Sequence, residues 1–359
     1  PPHPGGNCRC QGGPEGGTDV KLLILGGTGT IGREIVYQAL ERGHHVTVLS
    51  RGMRQAAFDK DVQMVCGDRR DEETMQNLVR KVRPEVVMDL ACYGENDARI
   101  TCNAFRRCAE QLIFASSVAA YERPCRSFPI QEQFESLRNS PEFSYGFEKA
   151  EMERYLQKEM GNPSSAAITI LRPSLTFGRG ACNFGILRQN RNVLRRIREG
   201  KPVLMTGEGA IPWSFTFTPD LAAAFLGACG NPRTYHEVFH VTNTELVVWE
   251  DLYKAVGKVA GREPVFHYIP SALLAENFPS VCAHLKFEKV HYSYFSNEKF
   301  QKAVPEYQPK ISLEQGVQDL ADWWEESNFP YDEEKERLED RVCRAYESFA
   351  DALKGCAEP

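Results

Sequence analysis

The sequence predicts an α/β fold, a doubly wound parallel sheet followed by a smaller C-terminal lobe. Three observations carry this. Apolar runs of strand length alternate with helical segments through the first half of the chain. A glycine-spaced loop joins the first strand to the first helix. Beyond about residue 185 the alternation loosens, as a change of architecture requires.

Residues 20–25 are apolar apart from Lys21, the pattern of a strand buried on both faces. Residues 30–42 have helical periodicity and stop at Gly43. Strands are expected at 45–49 and 62–66, then a helix at 71–82 that ends before Pro84. A strand at 86–90, a helix at 96–110, a strand at 112–115, a helix at 143–160 and a strand at 166–171 complete the series. Parallel strands joined by right-handed helical crossovers leave few topologies besides the Rossmann type. Further on, a basic helix is expected at 187–199, strands at 202–205, 214–218 and 238–241, and helices at 220–229, 249–260 and 313–324. A charged amphipathic helix at 333–353 closes the chain; its mixed charges suit a solvated face or a homodimer contact better than a lid.

The expected division is a disordered Gly- and Pro-rich tail at 1–19 and a Rossmann unit at 20–185, with segments near 214–245 returning to it. A lobe follows at 186–330, then the C-terminal helix at 331–359. The 359 residues are 42% hydrophobic and 26% charged, ordinary for a globular protein. A net charge of −6 makes nucleic acid an unlikely general partner. No apolar run approaches the roughly 18 residues that span a bilayer, so no membrane partner is expected. The opening Pro-Pro-His-Pro-Gly-Gly lacks the basic head and apolar core of a secretory leader. Twelve scattered cysteines, Cys66, Cys92 and Cys229 among them, read as reduced thiols of a cytoplasmic protein. Cys8 and Cys10 have no second ligand pair nearby, so no metal is expected.

Gly26, Gly29 and Gly32 make a G-x-x-G-x-x-G loop with Thr28, Thr30 and Ile31 between them. Such a loop allows backbone to approach a pyrophosphate, which then faces the free amides and positive dipole of the helix start. It therefore predicts a dinucleotide. The second strand ends in Ser50-Arg51, where an NAD-binding carboxylate would usually stand. Arg51 could meet the 2′-phosphate of NADP, so NADP is favoured over NAD. Asp68, followed by Arg69, is placed to accept from the adenine amino group, or else to cap the helix beginning near Asp71. By their place at the end of the fourth strand, Leu90, Ala91 and Cys92 are expected to line the cofactor, and Tyr93 the substrate.

Tyr145 and Lys149 stand four residues apart on one helix face. A free tyrosine, with a pKa of about 10, is a poor base at neutral pH. A neighbouring ammonium and the positive nicotinamide ring would favour its phenolate, letting it take a proton as hydride leaves the substrate carbon. Ser116 and Ser117 end the fifth strand at the sheet edge where such folds place ligands, and Ser117 could donate to the substrate oxygen. A strand-end cap is the bland alternative for Ser117.

In their order along the chain, the glycine loop, Gly67-Asp68, Ser116-Ser117 and the Tyr145/Lys149 pair resemble the short-chain dehydrogenases/reductases. The stretch from Leu171 to Gly178, with Pro173 and Ser174, resembles the nicotinamide-side segment of the extended NAD-dependent epimerase/dehydratase branch. The resemblance covers about residues 20–325 and implies Ser117, Tyr145 and Lys149 as a catalytic triad. The implied substrate is a secondary alcohol or ketone on a sugar, a nucleotide sugar or another small polar molecule. Three features depart from the pattern. Trp213 stands where nucleotide-sugar epimerases have a diphosphate-binding Arg, so stacking on substrate would replace charge there. Arg188, with Arg191, Arg195 and Arg196, is then the candidate anion binder, or a solvated face. Val118 and Ala119 stand where 4,6-dehydratases carry Asp and Glu, which leaves reduction or epimerisation. Ser50-Arg51 also resembles atypical members related to chloroplast stem-loop RNA-binding proteins, so a non-catalytic RNA-binding or regulatory role is the alternative.

Overall fold

The computed structural model describes residues 19–52, 58, 61–162, 166–181, 185–328 and 331–356. The expected tail, with Cys8 and Cys10, lies outside them apart from Asp19. Its centre is a sheet of seven strands: β1 (Lys21–Leu25), β2 (His45–Ser50), β3 (Val62–Cys66), β4 (Val86–Asp89), β5 (Gln111–Ala115), β6 (Ala167–Arg172) and a last strand Glu237–His240. Every pairing is parallel. Across the sheet the order is Glu237–His240, β6, β5, β4, β1, β2, β3. The chain winds outward from β1 to β3, then restarts at β4 on the other side of β1. That reversal opens a crevice at the C-terminal strand ends.

β1 shows why the sheet is buried on both sides. Leu22 and Ile24 pack with Ile35, Val36 and Ala39 of helix α1 (Thr30–Glu41) and with Leu221 and Phe225 of helix Thr218–Ala228. Leu23 and Leu25 face the opposite layer, with Met75 of α2 (Glu72–Val82), Phe105 of α3 (Glu95–Phe105) and Leu156 of α4 (Ser144–Met160). Successive residues of a strand point to opposite faces, so both must be apolar here.

A separate apolar cluster joins Trp213, Phe215, Phe217, Trp249, Leu252, Leu285 and Leu320. It contains strand Val203–Thr206, paired in parallel with Phe266–Ile269, and helices Trp249–Ala260 and Leu313–Glu326. Phe266–Ile269, two short helices at Ser271–Asn277 and Pro279–His284, and a π-turn at Leu285–Lys289 were not legible in the sequence. Two expected helices are shorter than read. α3 stops at Phe105, where the amides of Cys108 and Ala109 turn back onto its carbonyl. The basic helix is confined to Val193–Glu199, because Gln189 takes a left-handed φ of 54° and the Asn190 side chain accepts from the Asn192 amide. Among the described residues no helix is long and apolar enough to cross a membrane.

The C-terminal helix, Glu333–Lys354, is docked rather than solvated along its first half. Arg196, whose side chain is fully buried, reaches Glu336 at 2.9 Å and Asp340 at 2.8 Å and also donates to the Pro202 carbonyl. Glu339 accepts from the Leu204 amide and from Asn190. Removing one partner of a buried ion pair leaves the other charge uncompensated, at a cost of about 3–5 kcal/mol. Arg196→Ala is therefore expected to lower the melting temperature by several degrees and to raise proteolysis within the last helix. A thermal scan and limited digestion check this; an unchanged Tm would show that the ion cluster does not anchor the helix.

Candidate active site

A cavity of about 500 Å³ lies at the crevice between the β1 and β4 ends. Its wall includes Gly26, Thr28, Gly29, Thr30, Ile31 and Gly32 of the glycine loop, Ser50 at the end of β2 with Arg51 after it, Asp68 after β3, and Leu90, Ala91 and Tyr93 after β4. Gly26 has φ +89°, a conformation glycine adopts without cost. At Gly32 an added Cβ would stand 2.5 Å from the Gly26 carbonyl oxygen, so only glycine lets α1 start this close to the loop. Gly29 is the N-cap of α1, makes no side-chain cap bond, and is followed by no acidic residue in the first turn. The first-turn amides and the positive helix end are thus left to an anionic ligand, and the cavity fits a dinucleotide pyrophosphate.

Several predicted residues take other places. Arg69 borders the cavity, but its guanidinium is buried and bonds Asp89 at 2.6 Å, Thr101 at 2.7 Å and the Asp97 carbonyl at 2.8 Å. It is a clamp on the β4 end rather than a charged cofactor ligand. Asp68 accepts from the Arg70 amide, and Asp71 is the residue that caps α2. Cys92 is fully buried; burial pushes its thiol well up, and its carbonyl accepts from Lys149. The hydroxyls of Ser116 and Ser174 are spent inside the protein, on Glu153 and on the Ser214 carbonyl. Pro173 is buried and its carbonyl accepts from the Val118 amide. Trp213 is a correction: its ring is buried against Trp249, with centroids 5.1 Å apart, and is not a stacking platform. Arg196 and Arg195 are committed as well, Arg196 to the last helix and Arg195 to Glu199, while Arg188 is exposed.

Ser117, Tyr145 and Lys149 come together at the end of β5. Ser117 begins a short 3₁₀ turn, Val118–Ala120, accepting from the Ala119 amide. The start of α4 lies directly against this turn. A Cβ on Gly146 would stand 2.4 Å from the Ala119 carbonyl oxygen, so glycine there permits the approach. Tyr145 precedes it and is 39% exposed, with its phenol in hydrogen-bonding range of Ser117. Burial of the hydroxyl pushes the phenol up to about 12, the Ser117 bond partly offsets this, and the charges bearing on it include Glu288 and Arg188. Lys149 does not have the expected part in this. Its ammonium is buried, donates to the carbonyls of Cys92 at 2.6 Å and Ala115 at 2.7 Å, and is pulled below its ordinary range by burial. The anticipated acidified phenol is therefore a protonated one in this state. Gly146 and the Arg69–Asp89 clamp were missed; Arg69 and Asp89 stand 20 positions apart, so no local spacing signalled the clamp.

Residues 22–241 match the family described as the NAD dependent epimerase/dehydratase family. The chain is 28% identical to 2'-dehydrokanamycin reductase of Streptomyces kanamyceticus over 245 residues, covering 68% of this chain and 67% of that protein. It is 25% identical over 320 residues to the chloroplast stem-loop binding protein of 41 kDa b of Arabidopsis thaliana, covering 84% and 78%. In fold it is similar to UDP-glucose 4-epimerase of Thermotoga maritima, with a TM-score of 0.69, 20% identity, and coverage of 85% and 99%. With the glycine loop at the switch point of the sheet and the matched segment spanning more than half its length, the chain belongs to the NAD-dependent epimerase/dehydratase family and is an enzyme of the short-chain dehydrogenase/reductase type.

Proposed function

We propose that this chain is a reductase or epimerase acting on a secondary alcohol or ketone carbon of a sugar or another small polar molecule. The observation that carries this reading is the juxtaposition of the Ser117 hydroxyl and the Tyr145 phenol at the β5 end, beside the glycine-loop cavity. A bound nicotinamide dinucleotide supplies or accepts the hydride. Ser117 orients the substrate oxygen and Tyr145 exchanges the proton with it. Lys149 acts as a positioning residue, holding the start of α4 on the strand ends. A phenol held up near 12 is a proton donor at neutral pH, which supports ketone reduction; the reverse direction requires the positive pyridine ring to draw it down.

NADP is favoured over NAD because Ser50 and Arg51, rather than a carboxylate, line the cavity at the β2 end. Denaturing the purified protein and identifying the released dinucleotide separates the two chemistries. Retained oxidised NAD supports epimerisation, and a site filled readily by added NADPH supports reduction. RNA binding is a second reading, favoured by the similarity to the chloroplast stem-loop binding protein. Retention of an RNA hairpin with a steep salt dependence would support it, against the net charge of −6.

Tyr145→Phe is expected to abolish turnover while leaving dinucleotide affinity nearly unchanged, read from NADPH oxidation and from cofactor fluorescence. Full activity in that variant would sink the assignment. Arg51→Ala is expected to weaken NADP by about tenfold or more and NAD much less, as loss of a charge-assisted phosphate contact requires. Equal weakening of both would remove the 2′-phosphate role from Arg51.

A further inference from the structure

Helix α4 starts without an ordinary cap. Its N-cap is Phe143, which offers no side-chain acceptor, and no acidic residue stands in its first turn. A helix end of this kind frays unless other contacts hold it. Fraying matters here because Tyr145 lies in that first turn, while the Lys149 ammonium holds the helix one turn further on.

The contacts that hold the start converge on the Phe143 ring. The Phe287 ring stacks on it, with centroids 5.6 Å apart and planes 13° from parallel, and the Arg138 guanidinium lies 5.3 Å from its centre. Arg138 also joins the two sides through backbone, donating to the Phe287 and Ala119 carbonyls. Gly146 makes room for the arrangement, since a Cβ there would stand 2.8 Å from the Phe143 ring and 2.9 Å from the Arg138 Nε. The Tyr145 ring meets Phe143 edge-on, at 6.1 Å and 69°. A chain of ring contacts thus runs from Phe287 through Phe143 to the phenol.

Phe287 comes from the second apolar cluster, the one around Trp249. It rides on the π-turn Leu285–Lys289, which is anchored at both ends. Leu285 is fully buried in that cluster, and Lys289 donates to the Gly185 carbonyl at 3.0 Å with its ammonium 4.4 Å from the Trp249 ring. A π-turn holds one residue more than an α-turn and so re-aims the side chain it carries. Between its two anchors Phe287 is only half-buried, and the ring it stacks on belongs to α4.

We propose that Phe287 is a positioning residue for the proton exchange: its ring, stacked on Phe143, clasps the start of α4 to the second packed unit and sets the Tyr145 phenol against Ser117. The placement of the proton donor then depends on how the two units sit together, and not on α4 alone. This rests on the reading of Tyr145 as the group that exchanges the proton.

The test needs no substrate. The 13 tyrosines are replaced by 3-fluorotyrosine, and the Tyr145 fluorine resonance is assigned by its loss in Tyr145→Phe. Phe287→Ala should lower the titration midpoint of that resonance by about one unit or more, because a released helix start returns the hydroxyl to water. Glu288, Tyr93 and Arg188, which bear on the hydroxyl, are present in every variant. Phe287→Leu keeps apolar bulk without a flat face and should shift the midpoint in the same direction, whereas Phe287→Trp keeps a ring and should hold it near the wild-type value. Phe143→Ala should match Phe287→Ala, and the double variant should shift no further than either alone, since both act through one contact. Dinucleotide affinity should stay nearly unchanged throughout. An unmoved midpoint in Phe287→Ala or Phe287→Leu, or additive shifts in the double variant, overturns the proposal and leaves Tyr145 in place. A midpoint that falls together with dinucleotide affinity marks a general loss of structure and overturns it as well. Turnover surviving in Tyr145→Phe, read from NADPH oxidation, overturns the underlying reading instead.

Discussion

The ammonium of Lys149 holds the carbonyls of Cys92 and Ala115, and so joins α4 to the ends of two adjacent central strands. Desolvating an ammonium costs several kcal/mol, and each bond from it returns about 1.5–3 kcal/mol, so the contact survives only because both carbonyls are met at good distance. With that end of the helix pinned, Gly146 can press against the Ala119 carbonyl and Tyr145 is set beside Ser117. The geometry of the proposed chemistry thus depends on a buried charge that neighbours the reacting hydroxyl in sequence but is spent on backbone.

Beneath the site lies a polar floor in place of an apolar one. Arg172 pairs with Glu153, which also takes the Ser116 hydroxyl, and Arg172 reaches the Tyr121 phenol. Tyr121 meets His240 at 2.6 Å, and burial with the Arg172 charge keeps that imidazole well below its ordinary range and therefore neutral. This network ties β5, β6 and the strand Glu237–His240 together just under Ser117. On the other side of the cleft, Arg69, Asp89 and Thr101 do the same for the β4 end. The Arg172 guanidinium is fully paired within the protein, and a satisfied buried network of that kind is stiff, as a proton-exchanging pair requires.

How far the sequence could be read follows from the range of the forces involved. The strands of the first half and α1, α2 and α4 were legible because their apolar periodicity is local and strong. The glycine loop was legible because its spacing is itself the geometry. Trp213 was misplaced because an aromatic residue at a strand edge serves a core or a ligand equally well, and the distant Trp249 decided the matter. Arg196 and Arg69 failed for a similar reason: an arginine in a helix or loop gives no sign of the buried carboxylates that will claim it.

The sequence by itself determined the doubly wound sheet, the phosphate-facing loop and the four-residue spacing of Tyr145 and Lys149, since each is written in contacts between near neighbours. Only the tertiary structure decided which charges face the cleft. Residues more than a hundred positions apart, Phe143 and Phe287 or Arg196 and Glu339, meet through packing that no local pattern encodes. Burial then sets their electrostatics, because desolvation depends on everything that surrounds a group and not on its place in the chain.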